Sequence, residues 1–286
     1  MSMRERSVQC CNAGGLHRMA YTEWGDAANP RVLLCVHGLT RCSRDFDDLA
    51  MALEKDYRIV CPDVVGRGRS DWLADKSQYG IQQYLVDMAT LVARLDVEEI
   101  TWLGTSMGGL IGMYYAAQQG TPIRRLILND VGPVLTAASL QRIGEYVGDP
   151  PRFDSLADAE QFVRLVSASF GPHTDAQWRH LTAHVVRTAA DGKVEFRYDP
   201  GIAESYKAVA GSGEDIELWP VYEQIQCPTV VLRGAESDLL RPDTLQQMTR
   251  RGPRARAIEL PGVGHAPTFM AAHQIDLVRE ALEALA

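Results

Sequence analysis

The stretch Ile100-Thr101-Trp102-Leu103-Gly104-Thr105-Ser106-Met107-Gly108-Gly109 decides how the chain is read. It begins as a short apolar strand, breaks at Gly104, and restarts as a helix through Leu110, Ile111, Met113, Ala116 and Ala117. Ser106 stands at the turn, with Gly104 and Gly108 two residues away on either side. A serine on so tight a strand-to-helix turn takes a strained backbone, and bulky residues at the flanking positions would collide. Its hydroxyl is then held above the end of a sheet. The adjoining helix N-terminus carries unpaired N–H groups that favour developing negative charge. The sequence of strand, turn and helix is what distinguishes a nucleophile from an ordinary glycine-and-serine loop.

Outward from this turn, the chain alternates strands and helices. Val8 to Trp24 reads as two strands joined near Asn12-Ala13-Gly14-Gly15. Arg31-Val32-Leu33-Leu34-Cys35-Val36 is a continuous apolar run, as a strand buried on both faces requires. A helical face follows at Phe46, Leu49, Ala50 and Leu53, then a strand at Tyr57 to Cys61 and a helix over Ile81 to Leu95. After the Ser106 turn and its helix, Arg125 to Asp130 makes the next strand. The alternation predicts parallel β-α-β units.

It breaks after Gly132-Pro133. From about Val134 to Leu218 helical patterns dominate, at Leu140 to Val147, Phe162 to Phe170, Trp178 to Val186 and Ile202 to Val209. Beyond Trp219-Pro220 the rhythm resumes. Pro228 to Gly234 is a strand, Pro242 to Arg250 a helix, Arg256 to Leu260 a strand and Ile275 to Leu285 a helix. The expected organisation is a core domain of residues 1–132 and 219–286, interrupted by a helical cap of residues 133–218.

With 286 residues and 46% hydrophobic content, the chain can bury one large α/β core, and disorder is not expected. A net charge of -8 argues against nucleic acid and anionic membranes as partners. The six cysteines (Cys10, Cys11, Cys35, Cys42, Cys61 and Cys227) have no C-x-x-C pairing and no metal-ligand spacing. They are expected to be reduced and structural, in a cytoplasmic protein. The first residues lead into no apolar signal segment, and no run reaches membrane-spanning length.

Further residues complete the chemistry of Ser106. His265 lies on the glycine-rich loop Gly262-Val263-Gly264-His265 after the last strand, at the end of a sheet where functional groups of open α/β folds gather. A serine hydroxyl needs such a base, and the base needs a third group to set its tautomer. Two acids follow Ser106 and precede His265, each after a strand: Asp130 and Asp238. Chain order leaves both open. The segment His37-Gly38-Leu39-Thr40 ends an early strand, and Gly38 allows a turn that aims the Leu39 N–H at the site. The Met107 N–H is the second donor of the expected oxyanion hole. The remaining histidines, including His37, are expected to be bystanders.

On these residues the chain resembles the α/β-hydrolase superfamily. The matching pieces are His37-Gly38, Asp63-x-x-Gly66-x-Gly68-x-Ser70, Gly104-x-Ser106-x-Gly108-Gly109, Gly234-x-x-x-Asp238 and Gly264-His265. The resemblance implies an α/β-hydrolase fold: a mostly parallel, eight-stranded sheet flanked by helices, with an inserted cap. It implies a cofactor-free hydrolase with Ser106 as nucleophile and His265 as base. It favours Asp238, one strand before the histidine loop, over Asp130 as the acid. The Asp63-to-Ser70 loop is assigned structural work, its arginines making loop contacts.

A serine at the nucleophile position disfavours the epoxide and halide chemistry of aspartate-bearing relatives. The expected activity is hydrolysis of small to medium apolar carboxylic esters. The alternatives are carbon–carbon hydrolysis of a ring-cleavage dienoate and a ligand-binding protein on the same fold. The stretch from His37 to Phe46 is similar to bacterial intracellular esterases, some of which act on hydroxyalkanoate esters. The cap is expected to roof the pocket. Its apolar candidates are Leu140, Ile143, Tyr146, Val147, Phe162, Leu165, Val166, Phe170, Trp178 and Tyr206, while Arg152, Arg164, Arg179, Arg187 and Arg197 are assigned to solvent.

Overall fold

Residues 3–145, 147–211 and 213–285 are described in the computed structural model, with only the backbone considered for 208–210. Tyr146, one of the expected cap residues, lies outside them. The sheet is built from β1 (Arg4–Asn12), β2 (Gly15–Trp24), β3 (Val32–Val36), β4 (Arg58–Pro62), β5 (Ile100–Thr105) and β6 (Ile123–Asn129). Four short strands follow: β7 (Val134–Leu135), β8 (Val186–Thr188), β9 (Val194–Phe196) and β10 (Ile216–Glu217). Then β11 (Thr229–Gly234) and β12 (Arg256–Leu260) complete the sheet. Its order is β1-β2-β4-β3-β5-β6-β11-β12. The pairs β1–β2 and β2–β4 are antiparallel, and from β4 onward every pair is parallel.

The apolar runs owe their continuity to a sheet covered on both faces. Val32, Leu34 and Val36 point into one core with Trp102 and Ile111; Leu33 and Cys35 point into the other with Ile59, Cys61 and Leu103. Successive side chains alternate faces, so both parities must be apolar. Helices α1 (Asp47–Leu53) and α10 (Ala272–Ala284) cover the second face through Leu49, Leu53, Val278 and Ala281. Helices α2 (Ile81–Leu95) and α3 (Met107–Ala116) cover the first through Met88, Leu91, Ile111 and Met113. Cys35 and Cys61 fill the second core as small apolar groups, and all six cysteines are free thiols. Burial pushes the Cys61 thiol well above its ordinary range.

The chain runs from β3 to β4 on one side and then crosses back to β5 on the other. Strand order therefore reverses between β3 and β5. The crevice at their carboxyl ends is the place where open α/β sheets bind ligands. His37-Gly38 leaves one of these strands and Ser106 the other.

Between β6 and β11 none of the described residues joins the large sheet. This segment holds α4 (Ala137–Gly144), α5 (Leu156–Val166), α6 (Asp175–Val185) and α7 (Ile202–Ala210). Helices α4 and α5 start earlier than the apolar periodicity predicts. Thr136 and Ser155 cap them, accepting from the N–H of Ser139 and Asp158. Periodicity marks the buried face, whereas the cap fixes the start. The strand pattern is also not lost here: β8 pairs with β9, and β7 pairs with β10. The second pair ties the exit of the segment to its return, Leu135 opposite Ile216 and Val134 opposite Glu217. The return continues through α8 (Trp219–Tyr222), and α9 (Pro242–Met248) follows β11. Among the described residues no helix is long and apolar enough to cross a membrane.

Candidate active site

Ser106 occupies a backbone position few residues adopt, φ 53° and ψ -117°. The turn is tight enough that its glycines are obligatory. A Cβ on Gly104 would lie 2.3 Å from the Gly108 carbonyl oxygen, and one on Gly108 would lie 2.1 Å from that of Val36. The first helical amides fold back on the serine, Gly109 N–H and Leu110 N–H donating to its carbonyl at 2.8 and 3.0 Å. Trp102, buried in β5, donates its indole N–H to Gly108 O at 3.0 Å and fixes α3 against the strand.

The Ser106 hydroxyl lies 3.0 Å from His265 Nε2, the distance over which it donates to a neutral imidazole. On the other edge of the ring, His265 Nδ1 lies 2.7 Å from Asp130 Oδ2. The acid beside the imidazole is thus Asp130. This corrects the expectation of Asp238. Strand β6 lies between β5 and β11 in the sheet, so the carboxylate at its end is one strand away from the serine. Asp130 has φ 54°, a conformation that aspartate tolerates, and its side chain is fully buried. Its other oxygen accepts from Gly234 N–H at 2.9 Å, and Oδ2 also accepts from the Ser237 hydroxyl at 2.6 Å. The loop from Gly234 to Asp238 does lie beside the histidine loop, with Glu236 N–H donating to Val263 O. It serves the site through Gly234 and Ser237. The Asp238 side chain turns outward to Arg142 of α4, 2.6 Å away.

The expected oxyanion donors are Leu39 and Met107. Neither N–H has an acceptor in the protein among the described residues. Leu39 is aimed by what holds its neighbour. The Gly38 carbonyl accepts from His37 Nδ1 at 2.7 Å and from Arg41 N–H at 3.2 Å. In a trans peptide the carbonyl and the next N–H point in opposite directions, so anchoring one aims the other. His37 is in turn fixed by Val64 N–H, which donates to its Nε2 at 2.9 Å. Burial lowers the His37 pKa to about 4, which keeps it neutral, with Nδ1 the donor and Nε2 the acceptor. His37 is therefore a tether of the loop, a part the sequence reading missed.

Arg67, from the loop assigned structural work, is fully buried and braces the same loop. Its Nε donates to Leu39 O at 2.8 Å, Nη1 donates to Val65 O and to the Tyr84 hydroxyl at 2.8 and 2.9 Å, and Nη2 lies 3.5 Å from Met107 Sδ. One guanidinium thus touches both residues expected to carry the oxyanion amides. The histidine loop is held from the inserted segment: the Ser169 hydroxyl donates to His265 O at 2.6 Å, and Gly264 N–H donates to Ser169 O at 2.7 Å.

Two cavities meet at Ser106. One is almost wholly apolar, lined by Tyr84, Met107, Leu110, Leu135, Leu140 and Tyr206 among others. The other contains His265, Thr40, Ser167, Ser169, Phe162, Val166 and Phe170, with Arg41 and Arg142 in its wall. Leu39, Ser106 and Ile143 belong to both. Of the remaining cap residues expected to line a pocket, Val147 and Trp178 are packed in the cores and Leu165 is exposed. None of the five arginines assigned to solvent lines either cavity, whereas Arg142, which the sequence reading passed over, does.

Among the described residues two other groups are close enough to share a metal ion: Cys10, His17 and Asp87, and Asp47, His180 and His184. Both carboxylates already have partners, Asp87 in His17 and Asp47 in Arg44, and none of these residues lines either cavity.

The fold and this arrangement are those of the α/β hydrolases, and the chain belongs to that family, whose model matches residues 31–270. It is 51% identical over 276 residues to a 3-hydroxybutyrate-oligomer hydrolase of Cupriavidus necator, with 94% of each chain covered. Among solved structures it is similar to an alpha/beta hydrolase from Novosphingobium aromaticivorans, with TM-score 0.87, 35% identity and 98% of each chain covered. A protein from Rickettsia typhi aligns over the whole of both chains at TM-score 0.91 and 32% identity.

Proposed function

We propose that this protein hydrolyses carboxylic esters through an acyl-enzyme on Ser106, and that its substrates are short hydroxyacid esters. The reading is carried by the hydrogen-bonded line from Ser106 Oγ through His265 to Asp130, opening where two cavities meet. Ser106 Oγ attacks the ester carbonyl carbon as its proton passes to His265 Nε2. The carbonyl oxygen becomes an oxyanion held by the Leu39 and Met107 amides. The carbon–oxygen bond then breaks, and His265 returns the proton to the departing alcohol. Water attacks the acyl group, gives its proton to His265, and the acid leaves as Ser106 regains its hydrogen. Asp130 holds the imidazole with Nδ1 protonated and stabilises the cation formed at each transfer. These steps use no cofactor.

Residues 133–218 act as a cap, supplying the roof over both cavities. The activity of the Cupriavidus relative on 3-hydroxybutyrate oligomers supports the substrate class. The six free thiols support a reducing compartment, the cytoplasm.

The test is labelling by a fluorophosphonate, with peptide mapping, beside hydrolysis of 3-hydroxybutyrate dimer and p-nitrophenyl butyrate. Label on Ser106, a burst of p-nitrophenol and loss of all three signals in Ser106→Ala are expected. Full hydrolysis by Ser106→Ala would end the proposal. Faster turnover of a ring-cleavage dienoate than of any ester would redirect it to carbon–carbon hydrolysis.

A further inference from the structure

The two cavities differ in charge. Among the described residues the apolar one has no cation in its lining, so it suits an uncharged hydrocarbon portion. The other has two arginines, and they are not equivalent. Arg41 is committed: its Nε and Nη2 grip both oxygens of Asp45 at 2.8 and 2.7 Å, and its side chain is only 13% exposed. Withdrawing it would strand a half-buried carboxylate. Arg142 is 42% exposed, and its partner Asp238 is 53% exposed on the loop after β11. An ion pair so open to water contributes little and exchanges readily. Arg142 lines the cavity that holds His265 and Ser106, and the next residue of α4, Ile143, borders both cavities.

We infer that Arg142 forms a carboxylate subsite for the alcohol half of the substrate. Resting on the ester-hydrolase reading of Ser106, the subsite takes esters whose leaving alcohol ends in a free carboxylate, and the acyl half enters the apolar cavity. The incoming carboxylate replaces Asp238 on the guanidinium. Asp238 is the resident competitor that holds the guanidinium between turnovers.

A matched pair of substrates isolates the effect: 3-(butanoyloxy)butanoate and its methyl ester, which share the scissile bond and differ in one charge. The readout is the ratio of kcat/KM for the acid to that for the methyl ester. Arg142→Ala lowers this ratio by about tenfold or more, the loss expected for a charge-assisted hydrogen bond, and Arg142→Lys recovers part of it. Asp238→Asn raises the ratio, with the change in KM for the acid. Added salt erodes the wild-type ratio and leaves that of Arg142→Ala flat. An unchanged ratio in Arg142→Ala overturns the subsite. If that variant does not fold, Asp238→Asn decides alone, a ratio at or below wild type overturning it. In either case hydrolysis of the methyl ester by wild type and its loss in Ser106→Ala keep the underlying reading intact. Retention of both activities in Ser106→Ala is the separate result that removes the reading itself.

Discussion

Ser237 and His265 meet on one atom. The Ser237 hydroxyl donates at 2.6 Å to Asp130 Oδ2, the same oxygen that faces His265 Nδ1 at 2.7 Å. Ser237 Oγ itself accepts from the N–H groups of Leu239 and Leu240 at 3.2 and 3.1 Å, which fixes the direction of its proton. The carboxylate charge is therefore divided between a hydroxyl and an imidazole. Ser237→Ala removes this shared hydrogen bond, so Asp130 orients the imidazole less firmly. A fall of about tenfold in kcat on p-nitrophenyl butyrate is expected, with KM changed by less than about threefold. Steady-state kinetics of variant and wild type measure this. An unchanged kcat means the hydroxyl only supports the loop.

The two aspartates make opposite predictions. Asp130→Asn keeps the shape but presents an amide that supports the wrong histidine tautomer. A loss on the order of 10⁴ in kcat on p-nitrophenyl butyrate is expected. Asp238→Asn alters an exposed ion pair and should stay within about threefold on that neutral ester. Steady-state kinetics of the two variants side by side decide between them, and the reverse ranking would restore Asp238 to the imidazole.

Arg67 lines neither cavity but braces Leu39 and Met107, the proposed oxyanion donors. Arg67→Met removes the bond to Leu39 O and the contact with Met107 Sδ. A fall of about 10² in kcat is expected, the scale of losing one oxyanion donor, with KM changed by less than about threefold. Fluorophosphonate labelling should slow in parallel, since it passes through the same charge. Arg67→Lys should not rescue, because one ammonium cannot span Leu39 O, Val65 O and the Tyr84 hydroxyl as the planar fork does. A rise in KM alone would mean that Arg67 shapes the pocket.

His37 links stability to pH. Its pKa falls from 6.5 to about 4 on folding, so the unfolded chain binds the extra proton between those values. Its contribution is complete above pH 6.5 and is lost as pH falls toward 4, by about 3 kcal/mol in all. His37→Gln offers an amide donor and a carbonyl acceptor that do not titrate there. Urea unfolding of wild type and variant from pH 7 to 4 should show a shallower decline for the variant, by up to one proton in slope. Parallel curves would mean that other groups govern acid unfolding.

The sheet was legible because burial on both faces forces unbroken apolar runs such as Leu33-Leu34-Cys35-Val36, which no surface element needs. Ser106, Gly104 and Gly108 were legible for a steric reason, the collision any Cβ would make with Gly108 or Val36 carbonyls. The choice of acid was not. Asp130 and Asp238 both follow strands, and what separates them is depth: one is fully buried against Gly234 N–H and the Ser237 hydroxyl, the other is half-exposed beside Arg142. Sequence spacing carries no record of that depth. His37 and Arg67 were missed for a related reason. Their work is to hold other residues' backbone, through bonds to Gly38, Val64 and Leu39 that span distant parts of the chain. The starts of α4 and α5 were displaced because the caps at Thr136 and Ser155 precede the first buried residue.

The pairing of Val134–Leu135 with Ile216–Glu217 brings the two ends of an eighty-residue excursion to within one strand spacing, about 5 Å. To the sheet, the whole excursion is equivalent to a hairpin. Evolution can lengthen, shorten or exchange most of it without disturbing the registers of β6 and β11, and therefore without moving Ser106 or Asp130; the tie that must be kept is that of Ser169 to the histidine loop. Selectivity and chemistry are inherited almost separately in such an architecture, and a chimaera joined at those two short strands, with a serine kept at that tie, would keep its reaction while taking up the donor's tastes.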